Sequence, residues 1–182
     1  MKFLQRISMV TFNYYYLVPS LPTLSLNNSR GMSCVTFLQR CAQSLRQMDL
    51  EILGQSIIDN FAPQTPFTVF RKWQEWETDL RNQLIVLRCQ KLGVDPNRFT
   101  RSGNDSIRIS NSVREAFTAS NPLETENSLH KIRWRFLDDV EKSDRFNLNF
   151  LIIYHVKLQL LERRKKHSLV RGIKILEEMG AL

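Results

Sequence analysis

The sequence predicts an all-α protein, an antiparallel bundle of about six to seven helices with an extended aromatic segment near its N-terminus. Beyond residue 32, apolar side chains recur every three or four positions, which is the spacing of one helix face. A capping side chain followed by proline, a typical helix start, occurs at Thr65-Pro66 and at Asn121-Pro122. Alternation that would predict strands is nearly absent. The length of 182 residues predicts a single helical domain over 1–182.

The predicted extended segment lies in a basic N-terminal region, residues 1–32. Three consecutive tyrosines begin it, and Pro19 and Pro22 follow; each proline disfavours helix at its own position and at the residue before. A tyrosine packs its ring and keeps its hydroxyl near water, so contact with a partner and packing inside the protein are equally supported. The candidate partner-binding residues here are Tyr14, Tyr15, Tyr16, Leu17, Leu21 and Pro22.

Three helices are expected in the first half of the chain after this segment. Ser33 can cap one over residues 34–45, and Asp49 can cap a shorter second one. The third, over 66–92, carries a continuous stripe of large apolar side chains and ends at Gly93. These features predict two short helices followed by a long amphipathic one.

The second half begins with a segment, 94–109, that is predicted to be a flexible loop because it contains proline, glycine and asparagine but few aliphatic residues. Four more helices are expected after it. The first is expected to be capped by Ser110 or Ser112 and to reach 119, and the others to cover 122–142, 147 to a bend near 167, and 169–179. The third of these is apolar almost all round, which predicts the central buried helix of the bundle.

The sequence offers no arrangement of residues typical of catalysis or of a cofactor or metal site. Six glycines form no phosphate-binding loop, and Cys34, Cys41 and Cys89 stand at no metal-ligand spacing with the histidines. The neighbouring acids Asp138 and Asp139 point in different directions from a helix, which is typical of a solvated face. We therefore expect no enzymatic activity, no cofactor and no metal.

One further group of residues allows two interpretations. Trp73, Trp76 and Glu77 precede Arg81 on the long helix, and Glu77 and Arg81 are spaced to form an ion pair. The group could form a charged seam for a partner helix. Large aromatic residues at helical spacing usually belong to a core, so we favour the edge of a core flanked by a solvated salt bridge.

The chain is strongly basic, with a net charge of +8. Residues 1–48 contain five basic residues and no acidic one, and a basic run ends the expected buried helix. Such a surface could bind an acidic protein, an anionic membrane surface or nucleic acid. The basic run has a second explanation, because the dipole at a helix C-terminus stabilises cations without any partner. Nucleic acid is the less favoured partner because no sequence signature of its binding is present. The candidate residues are Arg163, Arg164, Lys165 and Lys166.

Several features predict a cytoplasmic protein. Three cysteines without paired spacing argue against a disulfide framework. Arg6 interrupts the first apolar run, and no cleavage site of small residues follows, which argues against a secretory signal. The apolar runs are shorter than the roughly 18 residues that a membrane helix needs. Met9 is an alternative candidate for the native start.

Four stretches of the chain, taken in order, resemble a bacterial family of unknown function whose genes lie among those of V-type (A/V-type) ATP synthases. The first is the tyrosine segment. The second shares the pattern E-x-x-L-R-N, followed further along the helix by an arginine and then by the pair L-G. The third shares W-x-F-L-D, and the fourth is the final long helix. The stretches are Tyr14–Pro22, Glu77–Gly93, Trp134–Asp138 and Phe146–Arg163.

The resemblance implies kinship to the C (or d) subunit of the rotary ATPase, an all-helical socket that joins the rotating stalk to the membrane ring. This chain is much shorter than that socket. The resemblance therefore implies a non-catalytic subunit or an accessory protein of a V-type ATP synthase, peripheral to the inner membrane. Its partners would be subunits of the ATP synthase, with contact to an anionic membrane surface. The first alternative from the residues is a basic helical nucleic-acid-binding protein, and the second is a free-standing regulator that binds one soluble partner through the tyrosine segment.

Overall fold

The computed structural model of the protein describes residues 14–27, 32–58, 68–103, 107–119, 121–141 and 145–166. Every regular element in these ranges is helical, so the all-α prediction is confirmed. Contacts divide the chain into two compact units. The first unit takes its described residues from Met1–Asn60 and Asp138–Leu182, and the second from Phe61–Leu137. The single domain over 1–182 stays a prediction.

Four helices lie among the described residues of the first unit. They are α1 (residues 14–20), α2 (Cys34–Ala42), α3 (Gln47–Gln55) and α7 (Leu148–Lys166). The predicted cap of α2 is confirmed, since the hydroxyl of Ser33 accepts a hydrogen bond from the Thr36 amide at 3.1 Å. The predicted cap of α3 is wrong, because Arg46 holds that position. Asp49 lies in the first turn of α3, where the helix dipole stabilises a carboxylate.

Helix α7 is the centre of the first unit, as its apolar sequence predicts. Nearly every side chain from Leu151 to Leu161 is buried, and the helix packs against α2 and α3. The Phe37 ring of α2 lies over the Tyr154 ring at 5.1 Å and stacks on the His155 ring at 5.7 Å. A helix that is buried all round needs apolar residues on every face, which explains its sequence.

The aromatic segment is helical over residues 14–20, so its predicted extended conformation is wrong there. Helical geometry places Tyr14 and Leu17 on one face, and both are buried. Pro19 lies in the last turn of α1, where its missing amide N–H removes a hydrogen bond only at the end of the helix, and the helix ends before Pro22. Burial of two large side chains therefore outweighs the preference of the residues that precede proline.

The second unit contains helix α4, a 3₁₀ helix, α5 and most of α6. Their bounds are Thr68–Leu92, Pro96–Arg98, Ile107–Phe117 and Pro122–Glu141. From Asp138 onward α6 belongs to the first unit. Gly93 ends α4 with a φ of 66°, a left-handed conformation that glycine adopts without strain. One cluster of buried apolar side chains in this unit consists of Leu80, Leu84, Ile109, Val113, Ala116 and Leu129.

The segment predicted as a flexible loop over 94–109 is more regular than its composition indicates. Asp95 caps the 3₁₀ helix by accepting a hydrogen bond from the Asn97 amide at 3.0 Å. Helix α5 begins at Ile107, within the predicted loop, so the buried Ile109 belongs to its first turn. Packing of α5 in the core stabilises a helix that starts earlier than the composition of the segment predicts.

Two other predicted helix starts are confirmed by side-chain caps. The Asn121 side chain accepts a hydrogen bond from the Leu123 amide at 2.9 Å, and the Asn147 side chain accepts one from the Phe150 amide at 3.1 Å. The start at Thr65-Pro66, the helix over 169–179 and Met9 lie outside the described residues.

Candidate functional site

The tyrosine segment is split between the interior and the surface of the first unit. Tyr14 and Leu17 are buried, and the Tyr14 hydroxyl donates a hydrogen bond to Asp49 Oδ2 at 3.2 Å. Burial, and next to it the Asp49 carboxylate, raises the pKa of Tyr14 well above its usual range. These two predicted partner-binding residues therefore fix α1 to the unit.

The other two tyrosines face outward and continue a row of aromatic rings. Tyr15 is 61% exposed and Tyr16 is 64% exposed. Their rings meet edge to face at 5.9 Å, and the Tyr15 ring lies 5.6 Å from that of Phe146, which is 46% exposed. We call Tyr15, Tyr16 and Phe146 the aromatic surface. It combines apolar area with two hydroxyl groups, a combination that is enriched at protein interfaces.

A cavity of about 530 Å³ adjoins the aromatic surface through Phe146. One wall is the segment 18–24, which contains the predicted partner-binding residues Leu21 and Pro22. The Tyr154 hydroxyl donates a hydrogen bond to the Pro22 carbonyl at 2.8 Å and so ties this wall to α7. The cavity and the aromatic surface therefore form one continuous candidate site within the first unit.

Charged groups line the same cavity. The ammonium of Lys157, which is 5% exposed, lies 2.7 Å from Asp138 Oδ1 and also contacts Glu141 Oε2. Asp138 remains 47% exposed and Glu141 27% exposed. The two carboxylates are partly solvated, as predicted for an acidic helix face. They also neutralise a buried lysine, which the sequence did not indicate.

The basic run occupies the last turn of α7, where the helix dipole favours cations. Arg164 donates a hydrogen bond to the Leu26 carbonyl, so it helps to hold the N-terminal segment. Lys165 and Lys166 are exposed, and Arg163 is half-buried. The two lysines are the members of this run that present their charge most openly to solvent.

The second unit contains a buried charge cluster that the sequence interpretation missed. Glu77 is 0% exposed, and its carboxylate accepts hydrogen bonds from Arg133 at 2.9 and 3.0 Å and from Arg81 Nε at 2.9 Å. The predicted Glu77–Arg81 ion pair and the burial of Trp73 are confirmed, but the predicted solvation of the pair is wrong for Glu77. Glu77 lies four residues after Trp73 and three before Leu80, so its place on the apolar stripe was the available signal.

The first unit also buries a histidine and a serine between α3 and α7. The Ser56 hydroxyl donates a hydrogen bond to the Leu53 carbonyl at 2.5 Å and lies 3.0 Å from His155 Nδ1. Burial lowers the pKa of His155, against smaller opposing effects of the Leu53 carbonyl and Glu162. Both polar side chains are almost fully buried, so their contacts join the two helices.

No protein-family model matches the chain, and no curated protein or solved structure matches it either. Within the described ranges, no group of three or more histidine, cysteine, aspartate or glutamate side chains could hold a metal ion. The helices that the structure describes include none that is both long and apolar enough to cross a membrane. The aromatic surface with its cavity is thus a candidate site argued from geometry.

Proposed function

We propose that this protein is a non-catalytic subunit or accessory protein of a V-type ATP synthase, peripheral to the membrane, that docks through its aromatic surface. The sequence resemblance supports the choice of complex. The exposure of Tyr15 and Tyr16 beside Phe146 is the observation that carries the docking role. A helical body with such a surface can link other subunits without any chemistry of its own.

The aromatic surface is suited to docking because α1 is already fixed. Burial of Tyr14 and Leu17 holds the helix, so Tyr15 and Tyr16 lose little backbone freedom when a partner covers them. Each aromatic side chain removes about 150–250 Å² from water when it is fully buried. Clustered exposed apolar area of this kind marks interaction sites in soluble proteins.

Charge supports the same proposal at a second place. The net charge is +8, and Lys165 and Lys166 are exposed at the end of α7. Such a surface attracts acidic protein surfaces or anionic lipid headgroups, and it increases the rate of encounter more than the final affinity. The aromatic surface would then determine which partner stays bound.

The test is affinity purification of the tagged protein from gently solubilised membranes of its own organism, with identification of the captured proteins by mass spectrometry. We expect the catalytic and stalk subunits of the ATP synthase in the eluate. A Tyr15→Ala/Tyr16→Ala variant should capture them at least about tenfold less, since central aromatic side chains often contribute 2 kcal/mol or more to an interface.

Met48→Ala is the matched control. Met48 is 67% exposed in the same unit but lies outside the aromatic surface, so this variant should capture the subunits as the unchanged protein does. Both variants should keep the helical circular-dichroism signal. Absence of ATP synthase subunits from the unchanged protein's eluate would contradict the complex, and equal capture by both variants would contradict the docking surface.

The exposed lysines at the end of α7 favour one alternative, a basic helical protein that binds nucleic acid. Binding that is dominated by phosphate contacts weakens log-linearly and steeply as salt rises. Fluorescence anisotropy with labelled duplex DNA and RNA at several salt concentrations separates the two functions. Binding at physiological salt with a steep slope that Lys165→Ala/Lys166→Ala reduces would favour the alternative.

A further inference from the structure

The end of α4 and the segment after it expose large apolar side chains. Leu92, the last residue of α4, is 75% exposed, and Val94 is 41% exposed. Phe99, which follows the 3₁₀ helix, is 56% exposed. We call Leu92, Val94 and Phe99 the apolar tip. Single exposed apolar residues are ordinary, but several close together form a patch of the kind that marks an interaction site.

Hydrogen bonds hold the apolar tip in place. The Val94 amide donates a hydrogen bond to the Cys89 carbonyl at 3.1 Å, just after the left-handed turn at Gly93. The Asn82 side chain accepts a hydrogen bond from the Arg101 amide at 3.0 Å and donates one to the Arg101 carbonyl at 2.7 Å. The segment after α4 therefore folds back along the helix and is fixed to it.

This return places Phe99 on the same side of α4 as Leu92. Phe99 and Ile85 both line one cavity, of about 220 Å³, beside α4. Leu92 comes seven residues after Ile85, which is two turns further along the same helix face. The apolar tip therefore presents its area to one side of the second unit. Since its backbone is already ordered, contact with a partner costs little further conformational entropy.

Basic residues flank the apolar tip. The segment 86–103 contains four basic residues and one acidic residue. Arg88, Lys91 and Arg98 are exposed. The acidic residue, Asp95, serves as the cap of the 3₁₀ helix. The tip therefore combines exposed apolar area with a local excess of positive charge.

We propose that the apolar tip inserts into an anionic lipid surface, with Arg88 and Arg98 among the headgroup phosphates. A lipid surface accepts a protruding side chain such as Leu92 without a matching cavity, and removal of its apolar area from water stabilises the contact. Anionic headgroups attract the flanking cations. Nucleic acid would offer phosphates to the cations but no comparable place for aliphatic side chains.

The inference rests on the membrane-peripheral position in the proposed function, but it uses a surface of the second unit and no other protein. The test is co-sedimentation of the full-length protein with phosphatidylcholine vesicles that contain about 30% phosphatidylglycerol, at physiological salt. We expect binding to these vesicles to be about tenfold or more tighter than binding to pure phosphatidylcholine vesicles, because the cations contribute only where headgroups are anionic.

Variants of the apolar tip test the insertion. Leu92→Ser/Phe99→Ser should weaken binding to the anionic vesicles by about tenfold or more, because the apolar area that leaves water is lost. Leu92→Ser alone should weaken it by about threefold or more, and its high exposure predicts an unchanged circular-dichroism signal and melting. Arg98→Gln should weaken binding by about fivefold, and less as salt rises.

Met48→Ser is the matched control. Met48 is 67% exposed, but it lies in the first unit next to Asp49, so this variant should bind within about twofold of the unchanged protein. The proposal is overturned if the unchanged protein binds anionic vesicles no better than neutral ones, or if Leu92→Ser and Met48→Ser bind equally. Loss of binding in Lys165→Ala/Lys166→Ala with none in Leu92→Ser/Phe99→Ser would also overturn it, because α7 would then make the contact.

The vesicles contain no protein, so this test is separate from the capture of ATP synthase subunits. Capture of the subunits without vesicle binding would overturn the apolar tip alone. Vesicle binding that depends on the tip, without capture of the subunits, would contradict the complex and leave the membrane contact standing.

Discussion

The two units of this protein bury charge in different ways. In the second unit, Glu77 is fully buried, and the side chain of its main partner Arg133 is only 6% exposed. In the first unit, Lys157 is buried, but its carboxylate partners Asp138 and Glu141 remain 47% and 27% exposed. The first ion pair lies in the interior, whereas the second connects the interior to the surface.

The difference predicts how strongly the stability of each unit depends on its ion pair. If Glu77 is removed, the buried Arg133 guanidinium loses both of its short contacts to a carboxylate and keeps only the Glu126 carboxylate at 3.9 Å. If Lys157 is removed, water can solvate the two carboxylates that it leaves behind. We therefore expect the second unit to tolerate loss of its ion pair far less than the first.

The largest effect is expected for Glu77→Ala. It should lower the free energy of unfolding by about 3–5 kcal/mol, because it leaves the Arg133 guanidinium buried without its carboxylate. Urea unfolding followed by circular dichroism measures this loss. Glu75→Ala is the control: its carboxylate is 58% exposed and 3.6 Å from Arg71, so its loss should stay below about 1 kcal/mol.

A double variant sharpens this result. Glu77→Leu/Arg133→Met removes both buried charges, so it should be more stable than Glu77→Ala. Similar losses for Glu77→Ala and the exposed Glu75→Ala would show that burial does not determine the importance of the pair. The same urea measurement serves both comparisons.

Lys157→Met should have a smaller effect. Methionine keeps most of the buried apolar stem, and the carboxylates of Asp138 and Glu141 can turn to water. We expect a loss of about 1 kcal/mol or less in the free energy of unfolding. A loss as large as that of Glu77→Ala would remove the contrast between the two units.

A moderate dependence on pH is expected in the first unit. Burial lowers the pKa of His155, so the folded protein favours the neutral ring. This contribution to stability is fully present above the unfolded pKa of about 6.5 and is lost as the pH falls towards the folded value. Urea midpoints at several pH values between 7.5 and 5 measure the loss.

His155→Gln supplies the reference for this dependence. Glutamine cannot be protonated in this range, so the variant should lose less stability than the unchanged protein when the pH falls. Its stability at pH 7.5 can be lower, because the stacking on Phe37 is lost. Equal pH dependence in both proteins would assign the effect to other groups.

The smallest effect concerns thiol reactivity. Burial raises the pKa of both Cys34 and Cys41 to about 12, and the Glu162 carboxylate adds to the effect at Cys34. Since the thiolate is the reactive form, alkylation by iodoacetamide at pH 8 should be more than about tenfold slower than for glutathione. Mass spectrometry of the peptides measures each rate.

The thiols also report on the two units separately. Cys34 and Cys41 lie in the first unit, and the buried Cys89 lies in the second. If Glu77→Ala opens the second unit, Cys89 should become reactive first. Equal acceleration at all three cysteines would indicate that the units unfold together.

Local signals predicted most of the helices. Ser33, Asn121 and Asn147 each cap the helix that the sequence assigned to them, and Gly93 ends α4 as expected. Caps and stops act within a few residues, so they can be recognised without knowledge of the fold. Asp49 shows the limit, since a capping residue one turn too far along is still a good first-turn residue.

The candidate site was less predictable. The sequence marked Tyr14, Tyr15, Tyr16 and Leu17 together, but the helical turn of α1 buries the first and the last and exposes the two between. In an extended chain, neighbouring side chains would instead have pointed to opposite faces. The choice between them depends on what α1 packs against, and adjacent residues do not encode that.

The sequence by itself determined the helical class, the burial of α7, the starts of α2, α6 and α7 and the end of α4, because apolar periodicity and capping are local properties. Only the tertiary structure decided that Glu77 meets Arg133, 56 residues away, and that Ile85 and Phe99 line one cavity. The residues next to a helical glutamate in the sequence can be the same whether its carboxylate faces water or a guanidinium. Its environment is set by helix packing, which brings distant residues together.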